Sequence, residues 1–249
     1  MRTLIVMMAS MATGAALMLP GSARAVDLGA FLAEVEDAGR FQTPARADLR
    51  IHVKEKGSER HYDGVVAHRG ADAYIELREP AIRVLIHTGD DGAETVHQTL
   101  GKGTDHAARV GAYDMMGTTT LIADDFRSFR AGALRTPQIV SETKQTLLVS
   151  GAPADASPYV LLVYLLDREK HLPTRVQYYE RTLNNLVRMR RDTDVVRVAS
   201  MWRPGRTEIE DYRTGTVTTI ERSWTVEPEL PPDLFDPTTL GTRSLLGPP

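Results

Sequence analysis

The spacing of apolar residues divides the chain into a short helical part and a long β-rich part. Between residues 28 and 38 apolar side chains recur at helical spacing, with Asp27 placed to cap the start and Gly39 placed where a helix would end. Beyond Pro44 apolar and polar residues alternate with a period of two, as they do along a strand with one buried face. The pattern predicts one N-terminal helix followed mostly by strands.

Strand signals follow one another without long helical segments between them, and turn sequences such as Gly89-Asp90-Asp91-Gly92 and Thr214-Gly215 separate them. Strands without crossover helices pair antiparallel, as a meander. About ten or eleven strands are enough for a strongly curved sheet or a partial barrel. The predicted strands cover residues 46–54, 72–78, 84–86, 94–100, 145–150, 159–166, 174–181, 186–191, 195–203, 206–212 and 217–226.

Residues 111–137 interrupt the alternation. They mix glycines with apolar residues and contain the acidic pair Asp124-Asp125, which predicts a loop with a short helix near residues 124–129. A long, partly apolar excursion from a sheet is either a lid or plug over the interior or a crossover along the surface. The sequence leaves both open. The apolar residues of a lid would be Met115, Met116, Phe126 and Phe129.

The first 25 residues have the layout of a secretory signal peptide. Arg2 gives a positive start, residues 4–19 are apolar, and Ala23 and Ala25 present small side chains where a signal peptidase reads. The apolar zone is shorter than the roughly 20 residues that a membrane span needs. We expect cleavage after Ala25, which leaves residues 26–249 as a single exported domain without a stable membrane span.

Composition narrows the compartment and the partners. The chain has no cysteine, so it can form no disulfide and lacks the N-terminal cysteine of a lipid-anchored envelope protein. A free periplasmic protein is therefore expected. Removing Arg2 and Arg24 with the signal peptide moves the formal net charge from −3 to about −5. An acidic protein is poorly suited to nucleic acid or to anionic membrane surfaces.

No constellation of residues identifies a catalytic or cofactor site. The seven histidines lack the spacing of a zinc motif, although His52, His61 and His68 could meet across neighbouring strands. The sequence contains no nucleophile elbow and no dinucleotide or phosphate-loop signature. The neighbouring acids Glu210 and Asp211 would point to opposite faces of a strand. We therefore predict no enzyme activity, no metal and no cofactor.

Apolar residues exceed what one buried sheet face needs. Residues 159–166 are apolar on both faces, so they must be covered on each side. Such residues either line a hydrophobic cavity or fill a packed barrel core, and the pattern alone does not separate the two. The candidate cavity residues, chosen by strand parity, are Val84, Ile86, Val160, Leu162, Tyr164, Val176, Tyr178, Met189, Val198, Trp202, Ile220 and Trp224.

Several segments resemble those of outer-membrane lipoprotein-sorting proteins, the LolA/LolB-like superfamily. Residues 202–215 read WRPGRTEIEDYRTG, similar to the family segment P-x-x-[IV]-E-[ML]-x-D-x-x-TG. Residues 230–240 read LPPDLFDPTTL, similar to the family ending LPD-x-[LF]F, and residues 172–180 read LPTRVQYYE, similar to a family strand. The loop GTTTLIADDF at residues 117–126 matches only at its acidic end. The resemblance is specific in about the last seventy residues.

The resemblance implies a mainly β, α+β fold in which helices cover the concave face of a curved antiparallel sheet, or incomplete β-barrel, around a hydrophobic cavity. Members carry acylated lipoproteins or lipids across the periplasm, some beside inner-membrane exporters of the RND/MMPL type, and the family has no catalytic residues to transfer. A lipid or acylated lipoprotein is thus the expected partner. The alternative is a sensor or adaptor for a protein such as an exporter, docking through exposed Arg188, Arg190 and Arg191. An envelope hydrolase ranks last.

Overall fold

A computed structural model describes residues 26–89, 91–101, 107–226 and 229–247. The predicted signal peptide lies outside these residues. Within them, no helix combines the length and the apolar character that crossing a bilayer requires.

The predicted N-terminal helix is confirmed as α1, Leu28–Gly39. Asp27 caps it, since its carboxylate accepts a hydrogen bond of 3.1 Å from the backbone N–H of Ala30. The helix buries one apolar face against the sheet, formed by Phe31, Leu32 and Val35.

The strands of the described residues form one open antiparallel sheet of thirteen, in the order β6-β5-β4-β3-β2-β1-β13-β12-β11-β10-β9-β8-β7. Each half of the chain is a meander, and the pairing of β1 with β13 joins the halves, with Ile51 opposite Ile220. The strands are β1 Phe41–Glu55, β2 Ser58–Gly70, β3 Asp72–Leu77, β4 Ile82–Thr88, β5 Glu94–Leu100, β6 Ala108–Val110, β7 Leu134–Glu142, β8 Thr146–Pro153, β9 Tyr159–Asp167, β10 Leu172–Glu180, β11 Leu186–Val198, β12 Met201–Asp211 and β13 Thr216–Val226.

The meandering antiparallel sheet was predicted correctly, but three strands were not predicted and one predicted strand was misplaced. Strands β2, β6 and β7 lie outside the predicted ranges, because their exposed stretches carry too few apolar residues to show alternation. The predicted strand 195–203 instead spans the end of β11, a tight turn and the start of β12. Ala199 in that turn has a φ of 53°, a conformation that apolar periodicity does not reveal.

One face of the sheet, called the inner face, is covered by α1 and by the plug segment, defined as residues 111–133. The plug segment contains two short 3₁₀ turns, Ala123–Asp125 and Ala131–Ala133, and the first overlaps only the start of the predicted helical stretch 124–129. Leu121 is completely buried and Met116 is 1% exposed, so the segment is a plug and not a surface crossover. It joins a single apolar core with α1 and the inner-face residues.

The other face, called the outer face, is partly covered by the C-terminal residues 229–247. Leu234, Phe235 and Leu240 pack there against Tyr74 and Leu85 as a second apolar cluster. The carboxylate of Glu76 anchors the same segment by accepting hydrogen bonds from the Ser244 hydroxyl and the Leu245 N–H, both at 2.7 Å. The sheet is therefore covered on both faces in this region.

Candidate functional site

A cavity of about 80 Å³ lies between the plug segment, the end of α1 and the inner face of strands β9 to β13. Its apolar wall includes Phe126, Phe129, Tyr164, Val176 and Trp224. The rest of the wall is polar or charged and includes His68, Asp124, Asp125, Arg127, Arg190, Asp192, Arg203 and Arg222. The site is thus an apolar interior with a charged floor, not a purely hydrophobic cavity.

Most of the candidate cavity residues come together in the interior. One apolar core contains Val84, Ile86, Leu162, Tyr164, Val176, Tyr178 and Ile220, together with the lid residues Met116, Phe126 and Phe129. Trp224 packs against this core and keeps part of its surface accessible. Of the candidate cavity and lid residues, those that line the cavity are Tyr164, Val176, Trp224, Phe126 and Phe129.

Val160 does not face the interior, because a β-bulge reverses the direction of its side chain. Tyr179 pairs with Leu161 and Glu180 pairs with Tyr159, so Val160 is the extra residue between two paired positions. Val160 is 41% exposed, and Tyr159 occupies the buried position in its place.

Met189 and Trp202 lie on the outer face. A second bulge at Val187 turns Arg188 inward, and Met189 then stands opposite Gln177 and Glu210 on the outside. Trp202 pairs with Arg197, whose guanidinium lies 5.1 Å from the centre of the indole ring, as expected for a cation–π contact at the surface.

Two further residues also depart from their predicted place. Val198 is buried, but in a separate small cluster with Phe41, Ala45 and Met201, which reaches the cavity wall through Phe41 and the adjoining Trp224. Met115 is 63% exposed and contributes nothing to the buried side of the plug segment, unlike its neighbour Met116.

Buried ion pairs attach the plug segment to the inner face. Asp125 accepts a hydrogen bond of 2.6 Å from Arg188, and neither side chain is more than 2% exposed. Asp124 accepts a hydrogen bond of 2.7 Å from the hydroxyl of Tyr178 and forms an ion pair with Arg127. Burial alone would raise the pKa of Asp124, but the charge of Arg127 and the bond from Tyr178 outweigh it and lower that pKa below its ordinary value.

These contacts overturn the predicted docking face. Arg188 is 1% exposed and Arg190 pairs at 2.7 Å with Asp192, a residue that lines the cavity, so neither arginine is available to a protein partner. Arg191 alone remains on the outer face, where it pairs with Glu208 and Glu210.

Two other cations of the cavity wall, buried Arg203 and partly buried Arg222, were missed by the sequence analysis. Arg203 donates hydrogen bonds to the carbonyls of Ala38 at 2.9 Å and Gly39 at 3.1 Å, at the C-terminal end of α1. Arg222 donates one of 2.7 Å to the hydroxyl of Thr207. Burial lowers the pKa of each arginine to about 10, so both stay charged at neutral pH. Strand parity could have revealed Arg222, since it lies between the two predicted inward residues Ile220 and Trp224.

His68 is neutral beside these cations. Burial, followed by the charges of Arg203 and Arg222, lowers its pKa to about 3. Its ring stacks on Phe41, with centroids 4.2 Å apart, and lies 5.8 Å from the ring of Trp224. The part of the cavity wall formed by His68, Phe41 and Trp224 is therefore aromatic and uncharged.

Comparison with known structures gives the class of fold. The chain is similar to an outer membrane lipoprotein-sorting protein domain from Vibrio parahaemolyticus, with 16% identity, a TM-score of 0.73 and coverage of 86% of this chain and 97% of the other. A DUF1329 family protein from Desulfovibrio piger matches with 15% identity, a TM-score of 0.69 and coverage of 86% and 96%. A LolA superfamily protein from Nitrosomonas europaea matches with 17% identity, a TM-score of 0.60 and coverage of 85% of this chain and 98% of the other. The protein has the LolA/LolB-like fold, as the sequence motifs predicted.

The family itself is given by sequence. A protein-family model with the description "Uncharacterized protein" matches residues 108–242, which is more than half of the chain. The chain belongs to this family. No curated protein sequence matches it.

Proposed function

We propose that this protein is a periplasmic carrier that binds acyl chains of lipids or lipoproteins between the plug segment and the inner face of the sheet, for transfer toward the outer membrane. The observation that carries the proposal is the plug itself. A loop segment fills the interior of a LolA/LolB-like fold with its apolar side chains, and side-chain contacts hold it there. The predicted signal peptide supports a periplasmic location.

The volume of the cavity defines how binding would work. Pockets for drug-sized ligands measure roughly 300–1,000 Å³, whereas this cavity measures about 80 Å³. An acyl chain therefore requires the plug segment to move away. The chain then takes the place of side chains such as Leu121, Ile122 and Phe126, which are equally apolar.

The energy of this exchange explains both binding and release. Burying a sixteen-carbon chain stabilises the complex by about 0.8 kcal/mol per methylene, on the order of 10 kcal/mol in total. Exposing the plug segment and separating the Asp125–Arg188 pair oppose that gain. The net affinity is consequently moderate, and the return of the plug favours release to an acceptor, as a carrier needs.

Native mass spectrometry of residues 26–249, purified without detergent, tests the proposal. We expect an additional mass that organic extraction removes and that returns on incubation with fatty acid, phospholipid or an acylated peptide. An unchanged apo mass after all three incubations contradicts a carrier and favours the protein-binding adaptor.

A pair of variants on β13 locates the binding site. Trp224→Asp introduces a charge into the cavity wall and should abolish the additional mass, because Trp224 lines the cavity. Ser223→Asp places the same charge on the neighbouring exposed position and should have no effect. Circular dichroism of both variants establishes that they are folded. Unchanged lipid binding by folded Trp224→Asp would place the cargo elsewhere.

A further inference from the structure

The charges around the cavity do not balance. Arg127 pairs with Asp124, Glu94 and, at 3.4 Å, Asp155. Arg130 lies 3.1 Å from the same Glu94, and Arg190 pairs with Asp192. Asp125, the remaining acid of the wall, pairs with Arg188. Within the described residues, this leaves the guanidinium groups of Arg203 and Arg222 without a carboxylate partner.

Arg203 and Arg222 differ in the groups with which their guanidinium groups interact. Arg203 points at the backbone carbonyls that end α1, where a cation is favourable because of the helix dipole. Its Nε has no hydrogen-bond partner. Arg222 has only neutral oxygens to donate to, namely the Thr207 hydroxyl at 2.7 Å and, weakly, the Asp125 carbonyl at 3.4 Å. Its guanidinium also lies 5.8 Å from the centre of the Phe126 ring, a cation–π contact, but within the described residues it forms no ion pair with a carboxylate.

A partly buried cation without an ion pair is stabilised when an anion joins it. The nearest acids, Asp192 and Asp125, are already paired with Arg190 and Arg188, so their charges offset that of Arg222 only in part. The space beside Arg222 is the cavity of about 80 Å³, which is large enough for a few water molecules. That space suits a carboxylate or a phosphate group but not a chain.

We infer that Arg222, supported by Arg203, binds the anionic head group of the cargo, a carboxylate or a phosphate, at the charged floor of the cavity. This inference rests on the proposed carrier function and adds the chemical class of the cargo, an acidic amphiphile. A guanidinium donates to carboxylate or phosphate through paired N–H groups, which gives the contact direction as well as strength. The acyl chain then extends along the apolar wall toward Phe126 and Phe129, where the plug segment yields.

Binding of oleate and of oleyl alcohol, which share one chain and differ in the head group, tests the inference. The wild type should bind oleate at least about tenfold more tightly, the ratio expected from a hydrogen bond to a charged group. Arg222→Gln should reduce this ratio to about one, and Arg222→Lys, which keeps the charge without the planar group, should give an intermediate ratio. Arg206→Gln is the matched control, since Arg206 pairs with Glu221 away from the cavity.

The outcomes test the head-group assignment and the carrier function separately. Equal binding of the two amphiphiles by the wild type, or an unchanged ratio in folded Arg222→Gln and Arg222→Lys, overturns the head-group assignment and leaves the carrier intact. Failure of the wild type to bind either amphiphile overturns the carrier itself. Inorganic phosphate is the third probe: if it binds as tightly as oleate, the site recognises a free anion and the cargo assignment is wrong.

Discussion

A disulfide between the end of α1 and the plug segment should lock the protein closed. A Cβ atom built on Gly39 lies 3.3 Å from the Cβ of Ser128, and disulfides join Cβ atoms about 3.5–4.5 Å apart. A shift of a few tenths of an ångström therefore suffices for Gly39→Cys with Ser128→Cys. The chain has no cysteine of its own, so no competing disulfide can form.

The magnitude of the lock follows from the loop that it closes. The bridge encloses about 90 residues, for which the chain-entropy model gives a stabilisation of about 4–5 kcal/mol. The lost hydrogen bond from the Ser128 hydroxyl to the Gly39 carbonyl, 2.8 Å long, reduces this by about 1 kcal/mol. We expect the oxidised protein to unfold at a higher temperature and urea concentration than the reduced one.

Uptake of a fluorescent long-chain fatty acid measures the functional consequence. The oxidised double variant should take up almost none, because the plug segment cannot leave the inner face next to Phe129, and a reducing agent should restore uptake. The single variant Ser128→Cys under the same oxidant is the control. If the oxidised protein, with its disulfide verified by mass, binds the fatty acid as well as the reduced protein, the plug does not have to move and the exchange mechanism is wrong.

Three further predictions concern stability. The pKa of His68 is lowered from 6.5 to about 3, so below pH 6.5 the unfolded chain binds a proton that the folded chain does not. The stability that neutral His68 contributes to the fold is therefore complete above pH 6.5 and is lost as the pH falls toward 3. In urea unfolding, the free energy of unfolding of the wild type should fall by about 2 kcal/mol more than that of His68→Phe between pH 8 and pH 5. Identical pH dependence of the two proteins would contradict this. Asp125→Ala and Arg188→Ala should each cost about 3–5 kcal/mol, and the double variant clearly less than their sum; additive costs would mean that the pair is not coupled. Gly205→Ala should cost about 1–3 kcal/mol because its Cβ would lie 2.5 Å from the Asp194 carbonyl, whereas Gly132→Ala, with nothing within 4 Å, should be close to neutral in the same thermal scan.

Local pattern was sufficient for the main features of the fold. The helix Leu28–Gly39 and its cap at Asp27 follow from spacing that involves only neighbouring residues. The antiparallel meander follows from period-two alternation with short turns, as at Thr214-Gly215. Both depend on interactions over a few residues, and these are what a single sequence displays directly.

Side-chain direction was the first feature that local pattern could not supply. Strand parity places Val160 and Met189 inside, but one extra residue in each pairing turns them outward. A β-bulge is defined by the partner strand, so it cannot be read from the strand that contains it.

The charged floor of the site was the second such feature. Arg188 resembles a solvent-facing residue in the sequence, yet it is buried because Asp125, 63 positions earlier in the chain, lies against it. Arg222 is partly buried in the cavity wall and forms no ion pair within the described residues. The sequence by itself determined a curved, antiparallel, LolA/LolB-like sheet with a plug or a crossover. Only the tertiary structure decided which charges enter the interior, because the cost of burying a charge depends on the groups that the whole fold brings next to it.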